Sequence, residues 1–289
     1  MQNFTIVTDC SCDMPADLAK ELDVHIVPMN IVFDGKDYKH YHNWQELSAS
    51  EYYSKLRDGA VGSTAGTNIE DAMDIMRPIL KNGNDILYLS LSSGLSCSYQ
   101  NACLAAEELR EEYPNRKIKV VDTKCVCGGL TLLAYLVVKY KNTGASLEDT
   151  YKYAMDNCMK IHHSFVVDDL SALQRSGRIS QLAAVMGTAI GVKPIFTIGT
   201  DGKVNNKTKV RGRKAGLRQI TNDALEGTTD AQAFAICHAD TMTDAENIKA
   251  QLLEKHPNAE IILCNIGPII GINTGINTMA MIYIGEERT

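Results

Sequence analysis

Within the first 140 residues, short β-rich runs alternate with stretches of helical periodicity, and this alternation restricts the fold more than any other property of the chain. Phe4-Thr5-Ile6-Val7, Asp85 to Leu91 and Ile118 to Asp122 read as strands. Each precedes a helical pattern: Pro15 to Leu22 after the natural N-cap Asp13, Cys97 to Tyr113, and Cys125 to Tyr140. Such alternation predicts a doubly wound α/β unit with a parallel-rich, Rossmann-like sheet. His25 to Phe33 predicts one more strand, ending in the Asp34-Gly35 turn. Ser48 with Glu51 and Thr67 with Glu70 fit capping boxes that open two further helices.

The pattern changes near residue 160, where we place a boundary between a domain of residues 1–160 and a smaller α+β domain of residues 161–289. A helical stretch near Leu147 to Ile161 leads to a short strand, Ser164 to Val167, then to a Gly/Ala-rich apolar segment, Leu182 to Val192. Strand-like runs follow at Pro194 to Ile198, Ala233 to Cys237, Glu260 to Asn265 and Thr278 to Ile284. With 289 residues, 45% of them hydrophobic and 22% charged, the chain can fill the cores this plan needs. No apolar run approaches the roughly 20 residues of a membrane-spanning helix, and the start at Met1 lacks the pattern of a signal peptide. A cytoplasmic protein without transmembrane insertion is expected. Nine cysteines, including the C-x-C pairs Cys10/Cys12 and Cys125/Cys127, match neither a secreted disulfide framework nor the usual zinc spacing. They read as small buried residues, and neither metal nor cofactor is expected.

In a doubly wound sheet, ligands sit beyond the carboxyl ends of the strands. Three of those loops are hydroxyl-rich or acidic: Thr8-Asp9-Cys10-Ser11, Ser92-Ser93-Gly94-Leu95-Ser96-Cys97-Ser98 and Asp122-Thr123. Ser96 lies in a G-x-S-x-G pattern that lacks its last glycine, and Asp168 or Asp169 and His238 follow in the chain order of an α/β-hydrolase triad. No HGGG-type oxyanion segment accompanies them. A serine hydrolase or esterase using Ser96 therefore stands as the alternative function.

The formal net charge of −6 conceals an uneven distribution. Lys203, Lys207, Lys209, Arg211, Arg213, Lys214 and Arg218 fall in one stretch with no acid, and without these seven the chain would stand at −13. If the part from Lys207 to Arg213 is a strand, its cations share one face, suited to an anionic partner or to a protected sheet edge. The acidic remainder opposes nucleic-acid binding.

Taken in order and spacing, Thr8-Asp9-Cys10-Ser11, Gly62-Ser63-Thr64, Leu91 to Ser96, Val121-Asp122-Thr123, Leu170 and Leu173 with Gly177-Arg178-Ile179-Ser180, Lys193-Pro194-Ile195 and Lys209-Val210-Arg211-Gly212 resemble the DegV family. The resemblance covers about residues 3–286 as one continuous unit. It implies a two-domain fold that buries a long-chain fatty acid in an apolar tunnel between the domains and presents its carboxylate to a separate fatty acid kinase. Positions matching Ser63 and Ser96 would bind the carboxylate, with Ser93, Thr64, Asn273 and Thr274 beside them. Leu182, Val185, Met186, Ala189 and Ile190 would line the tunnel. Arg211, with Arg213 and Lys209, would dock the kinase. Catalysis would belong to that partner, and a carrier collecting its cargo has reason for transient contact with a membrane surface.

The chain departs from the family pattern at Ser63, where Thr is usual, at Cys97 for Gly, and at Ala65-Gly66 for Gln-Pro. In the C-terminal loop, Asn273 and Gly275-Ile276-Asn277 replace His and Gly-Pro-Gly. An amide can donate a hydrogen bond but carries no charge. A weaker or less pH-dependent hold on the head group follows, or a pocket for another small apolar ligand.

Overall fold

Two sheets pack against opposite sides of one buried helix. In the computed structural model, residues 3–168, 170–179 and 191–289 are described. Leu182, Val185, Met186, Ala189 and Ile190, expected to line a tunnel, and Asp169 lie outside them.

The strands are β1 (Phe4–Asp9), β2 (Val24–Val27), β3 (Met29–Phe33), β4 (Lys36–His40), β5 (Gly62–Thr64), β6 (Asp85–Ser90) and β7 (Ile118–Asp122). They continue with β8 (Ile161–Val166), β9 (Val192–Ile198), β10 (Val204–Arg211), β11 (Asp230–His238), β12 (Glu260–Asn265) and β13 (Met279–Ile284). The first sheet, β2-β1-β6-β7, is parallel throughout, as the alternation predicts. The second, β10-β9-β8-β13-β11-β12, is wider and antiparallel except for β11 with β12. A small antiparallel sheet, β4-β3-β5, flanks them.

The single strand expected over His25 to Phe33 is two. Pro28 has no N–H to give a ladder, and the chain changes partners there: β2 joins the parallel sheet and β3 the small one.

The helices are α1 (Ala16–Glu21), α2 (Ala49–Arg57), α3 (Ile69–Lys81), α4 (Ser98–Glu112), α5 (Gly128–Lys141), α6 (Leu147–Cys158), α7 (Leu170–Ser176), α8 (Arg213–Gly227), α9 (Met242–Lys255) and α10 (Pro268–Thr274). Ser48 caps α2 by accepting the Glu51 N–H. The cap of α3 is Asn68, one residue past the expected Thr67, because its carboxamide oxygen accepts the Asp71 N–H. Thr67 instead donates its own N–H to Ser98 Oγ at 3.0 Å.

Helix α5 explains the layering. Leu130, Leu132, Leu133, Ala134, Leu136, Val137 and Val138 are all buried, so the helix is apolar on every side. That pattern needs a wall on each side. Ile6, Leu87, Leu89 and Val121 of the parallel sheet supply one wall, and Ala233, Ala235, Cys237, Ile262 and Ile282 of the mixed sheet the other, in one continuous core. The outer faces are covered by α3 with α4 and by α8 with α9. Where α5 begins, the second wall comes very close: a Cβ on Gly129 would stand 2.0 Å from the His163 Nε2.

The first and third sheets end before the second begins at Ile161, next to the change of pattern in the sequence. The basic run ends differently from its periodicity. Lys207, Lys209 and Arg211 are exposed on the edge strand β10, but Gly212 at φ +83° turns the chain, so Arg213 becomes the first residue of α8 and is half-buried.

Candidate functional site

At the carboxyl ends of β1 and β6 the chain is tied loop to loop. The buried Asp9 accepts the Leu91 N–H at 3.0 Å and both the N–H and the hydroxyl of Ser11. Burial pushes its carboxyl above the usual range, while those donors pull the other way. The loop after β6 is also pinned to the second sheet. Ser92 donates to the Gly202 carbonyl at 2.8 Å, and a Cβ on Gly94 would fall 2.5 Å from the Asp201 carbonyl oxygen. Only glycine lets those two backbones approach so closely.

This bracing sets Ser96 at the amino end of α4. Its hydroxyl is 3.0 Å from Ser98 Oγ and accepts the Ser98 N–H at 3.2 Å. The N-cap residue Cys97 makes no side-chain bond and Ser96 Oγ takes the first amide of the helix, so the helix dipole, with that hydroxyl, favours an anion near Ser96. Opposite stand β5 and α10. Asn273 Nδ2 donates to the Ile269 carbonyl at 2.8 Å and reaches Thr64 Oγ1 at 3.5 Å.

Helix α10 is anchored from below. Gly267 donates its N–H to the buried Asp13 at 2.8 Å, Tyr53 Oη donates to Asn265 Oδ1 at 2.9 Å or to the Ile266 carbonyl, and Gly271 lies against the Tyr52 hydroxyl. Asp13, expected to cap α1, therefore serves α10. Its own backbone is left-handed, at φ +54°.

Thr64, Ser96, Asn273 and Thr274 all line one cavity between the two large sheets. Its empty volume, counted with the open mouth, is about 910 Å³. The remaining wall is mostly apolar, with Met29, Leu91, Leu95, Phe165, Leu173 and Ile282 among its side chains. Two other serines named from the sequence stand elsewhere. Ser63 alternates with Thr64 on β5 and is exposed, opening into a separate surface pocket beside Lys39. Ser93 is exposed and donates its hydroxyl to Asp122, whose other partner is Lys124 at 2.7 Å. Burial would raise the Asp122 carboxyl, but the bonds from Lys124 and Ser93 outweigh it and hold it below the usual range.

Among the described residues the hydrolase arrangement is not assembled. His238 continues the Phe234/Ile236 side of β11, the face packed under α8 and α9, away from the cavity. Asp168 pairs with Lys193 at 3.2 Å and Arg213 at 3.1 Å. Among the described residues no group of His, Cys, Asp or Glu side chains is arranged to hold a metal ion. No helix among them is long and apolar enough to cross a membrane.

The chain matches the family model described as "Uncharacterised protein, DegV family" over residues 3–286. It belongs to the DegV family. A DegV domain-containing protein of Clostridium perfringens is 34% identical over 100% of this chain and 99% of its own. Among solved structures, a fatty-acid-binding DegV family protein from Thermus thermophilus superposes with a TM-score of 0.86 at 26% identity, covering 98% of this chain and 99% of that one. Another from Streptococcus agalactiae gives 0.85 at 25%, covering 99% and 100%. At 22% identity, a stearic-acid-binding protein from Eubacterium ventriosum gives 0.87 over 98% and 99%, which extends the likeness of fold.

In this DegV protein the cavity wall also includes residues that the sequence did not single out for the site. Cys127 is one. Its backbone sits at φ +53°, ψ −138°, an arrangement costly for a residue with a Cβ. Its N–H on the Ser11 carbonyl at 3.1 Å and its thiol on Asp13 at 2.9 Å hold it there. Ser176, Arg178 and His163 are others, and among the described lining residues Arg178 is the cation, exposed at the rim. Arg178 stood inside a family-like motif, which was its only signal. His163 gave none.

Proposed function

We propose that this protein binds a long-chain fatty acid in the cavity between its sheets and presents the carboxylate, held near Ser96, Thr64 and Asn273, to a separate kinase. The observation that carries the reading is one largely apolar cavity with hydroxyl and amide groups gathered at the amino end of α4, in a family whose solved members include fatty-acid-binding proteins. Each methylene buried there contributes about 0.8 kcal/mol, so the acyl chain supplies the affinity. Neutral donors then suffice for the head group. They also leave the carboxylate free to be given up, which a buried ion pair would resist.

Ser63, Ser93 and Thr274 belong to the same proposal as neighbours of that end, and Arg211 and Lys209 as exposed cations on the β10 edge that meet the kinase. Arg213, paired with Asp244 at 2.7 Å, would set the start of α8 rather than touch a partner first. ATP, metal and phosphoryl transfer would come from the kinase. Native mass spectrometry of the full chain, with extraction of any bound lipid, tests the reading. A co-purified fatty acid, and ATP-dependent acyl phosphate formation only when a kinase subunit is added, are expected. An empty protein that neither binds added fatty acid nor supports a kinase would overturn it.

A further inference from the structure

A second cavity, of about 450 Å³ counted with its open mouth, lies beside the foot of α10 and shares no described lining residue with the first. Asp13, His40, His42, Trp44, Asn265 and Gly267 line it, and the remaining wall is apolar. His40 is the side chain there without a role. It is 5% exposed, and neither ring nitrogen has a hydrogen-bond partner among the described residues. Its nitrogens are not sealed from solvent, as both of those of His238 are. The place that a Cβ on Gly267 would take lies 2.8 Å from His40 Nε2 and 2.7 Å from Asp13 Oδ1, so these two polar atoms converge on one corner of the cavity. An imidazole buried this far without a partner is a standing cost that a donor on a ligand removes.

The lining also selects the charge of that ligand. Asp13 is its one carboxyl, and no Lys or Arg stands among the described lining residues. An anion would find no counter-charge. Burial keeps His40 and His42 neutral, so each has a nitrogen lone pair to offer. Burial also pushes the Asp13 carboxyl up, a cost that a positive guest offsets. Asp13 Oδ1 accepts the Gly267 N–H at 2.8 Å and has a second lone pair.

Trp44 completes the wall. Its ring stands edge-on to that of His40 with centroids 5.2 Å apart, and its backbone is left-handed at φ +57°, a costly conformation for so large a side chain. An indole beside a carboxyl and a free lone pair suits an organic cation. A metal ion needs a closer set of ligands, and among the described residues no group of His, Cys, Asp and Glu is arranged to hold one.

We propose that this second cavity binds a small primary ammonium ion, its N–H groups donating to His40 Nε2 and Asp13 Oδ1 and its charge set beside Trp44. The site needs nothing from the fatty acid reading. It borders the bond between Gly267 and Asp13 on which α10, the helix carrying Asn273, is mounted.

Trp44 is the single tryptophan of the chain, so its fluorescence reports on this wall. The full chain is titrated with ethylamine hydrochloride at constant ionic strength, with sodium chloride and sodium propionate as controls. A saturable change with ethylamine and none with either control is expected. Tetramethylammonium has the charge but no N–H, and should bind about tenfold more weakly or worse; His40→Phe should weaken ethylamine binding by about tenfold, the loss of one hydrogen bond from a charged donor. Should the Phe variant fail to fold, the ring nitrogen NMR shifts of wild-type His40 give a second readout, moving with ethylamine and staying in place with propionate. Glycerophosphoethanolamine and putrescine, titrated alongside, separate a lipid headgroup from a free polyamine as the source of the ammonium by which binds more tightly. No saturable change, the result for a cavity that holds water only, overturns the inference. So does an equal response to propionate or tetramethylammonium, or full ethylamine affinity in His40→Phe, and each of these leaves the fatty acid reading as it stands.

Discussion

The cavity has two ends built on opposite principles. At the polar end, Ser96, Thr64 and Asn273 come from a loop, a three-residue strand and a short helix, and none of the three is fully buried. At the other, the first turn of α5 is pressed into the mixed sheet with no room to spare: a Cβ on Gly128 would lie 2.4 Å from the Cys237 sulfur, and one on Gly129 2.0 Å from the His163 ring. The difference separates affinity from stability. Groups at the loop end can change what is held with little effect on the fold, whereas changes under α5 reach the core before they reach a ligand.

The largest expected effect is at the packed end. Gly129→Val should lower unfolding free energy by about 3 kcal/mol, since a buried ring and a sheet must move to admit the side chain, and urea titration would show it. A stability loss below about 0.5 kcal/mol would erase the contrast between the ends.

Next comes the mount of α10, where His40 packs against Gly267. Burial lowers the His40 pKa to about 4, so the folded state binds fewer protons than the unfolded one between that value and the ordinary 6.5. Stability from this group is present above pH 6.5 and lost as pH falls toward 4. Lowered values at His42, His162, His163 and His238 act in the same sense, while the raised carboxyls of Asp9 and Asp13 favour the folded state as pH falls. His40→Phe should flatten the acid limb by about 2 kcal/mol in a pH series of thermal melts. An unchanged slope would remove His40 from the account.

At the polar end, Ser96→Ala should weaken fatty acid binding by about tenfold while changing unfolding free energy by less than about 1 kcal/mol. A large stability loss with unchanged binding would reverse the comparison. The smallest effect belongs to Asn273→His. Wild-type affinity should vary little between pH 5.5 and 7.5 from this position, and the variant's should rise severalfold as pH falls through about 6.5. Equal affinity of the two proteins across that range would show that position 273 does not touch the carboxylate.

Much of this arrangement was legible in the sequence. The strands at Phe4, Asp85 and Ile118 and the helices after them have the periodicity of the parallel sheet. The hydroxyl-rich loop after β6 lies where a doubly wound topology puts a site. The rest was hidden for specific reasons. The segment holding Asn273 read as a C-terminal loop, but Pro268 to Thr274 form a helix, and its Gly271 is a glycine where the Tyr52 hydroxyl leaves no space for a Cβ. Period-two spacing put Arg213 on the strand with Arg211, and a left-handed Gly212 removed it. Ser63 was expected to hold the carboxylate with Thr64 beside it, yet Thr64 lines the cavity and Ser63 does not, since neighbouring residues of a strand point to opposite faces.

The sequence by itself determined which segments are strands and helices along the parallel sheet, because hydrophobic period and turn residues are local properties that act within a few residues. Only the tertiary structure decided which polar atoms meet. Asp13 with Gly267 and Asn273 with Thr64 are separated by more than 200 residues, and His163 with Val126 by 37. Whether a buried nitrogen finds a partner depends on how two sheets close around a helix, and no local pattern encodes that distance.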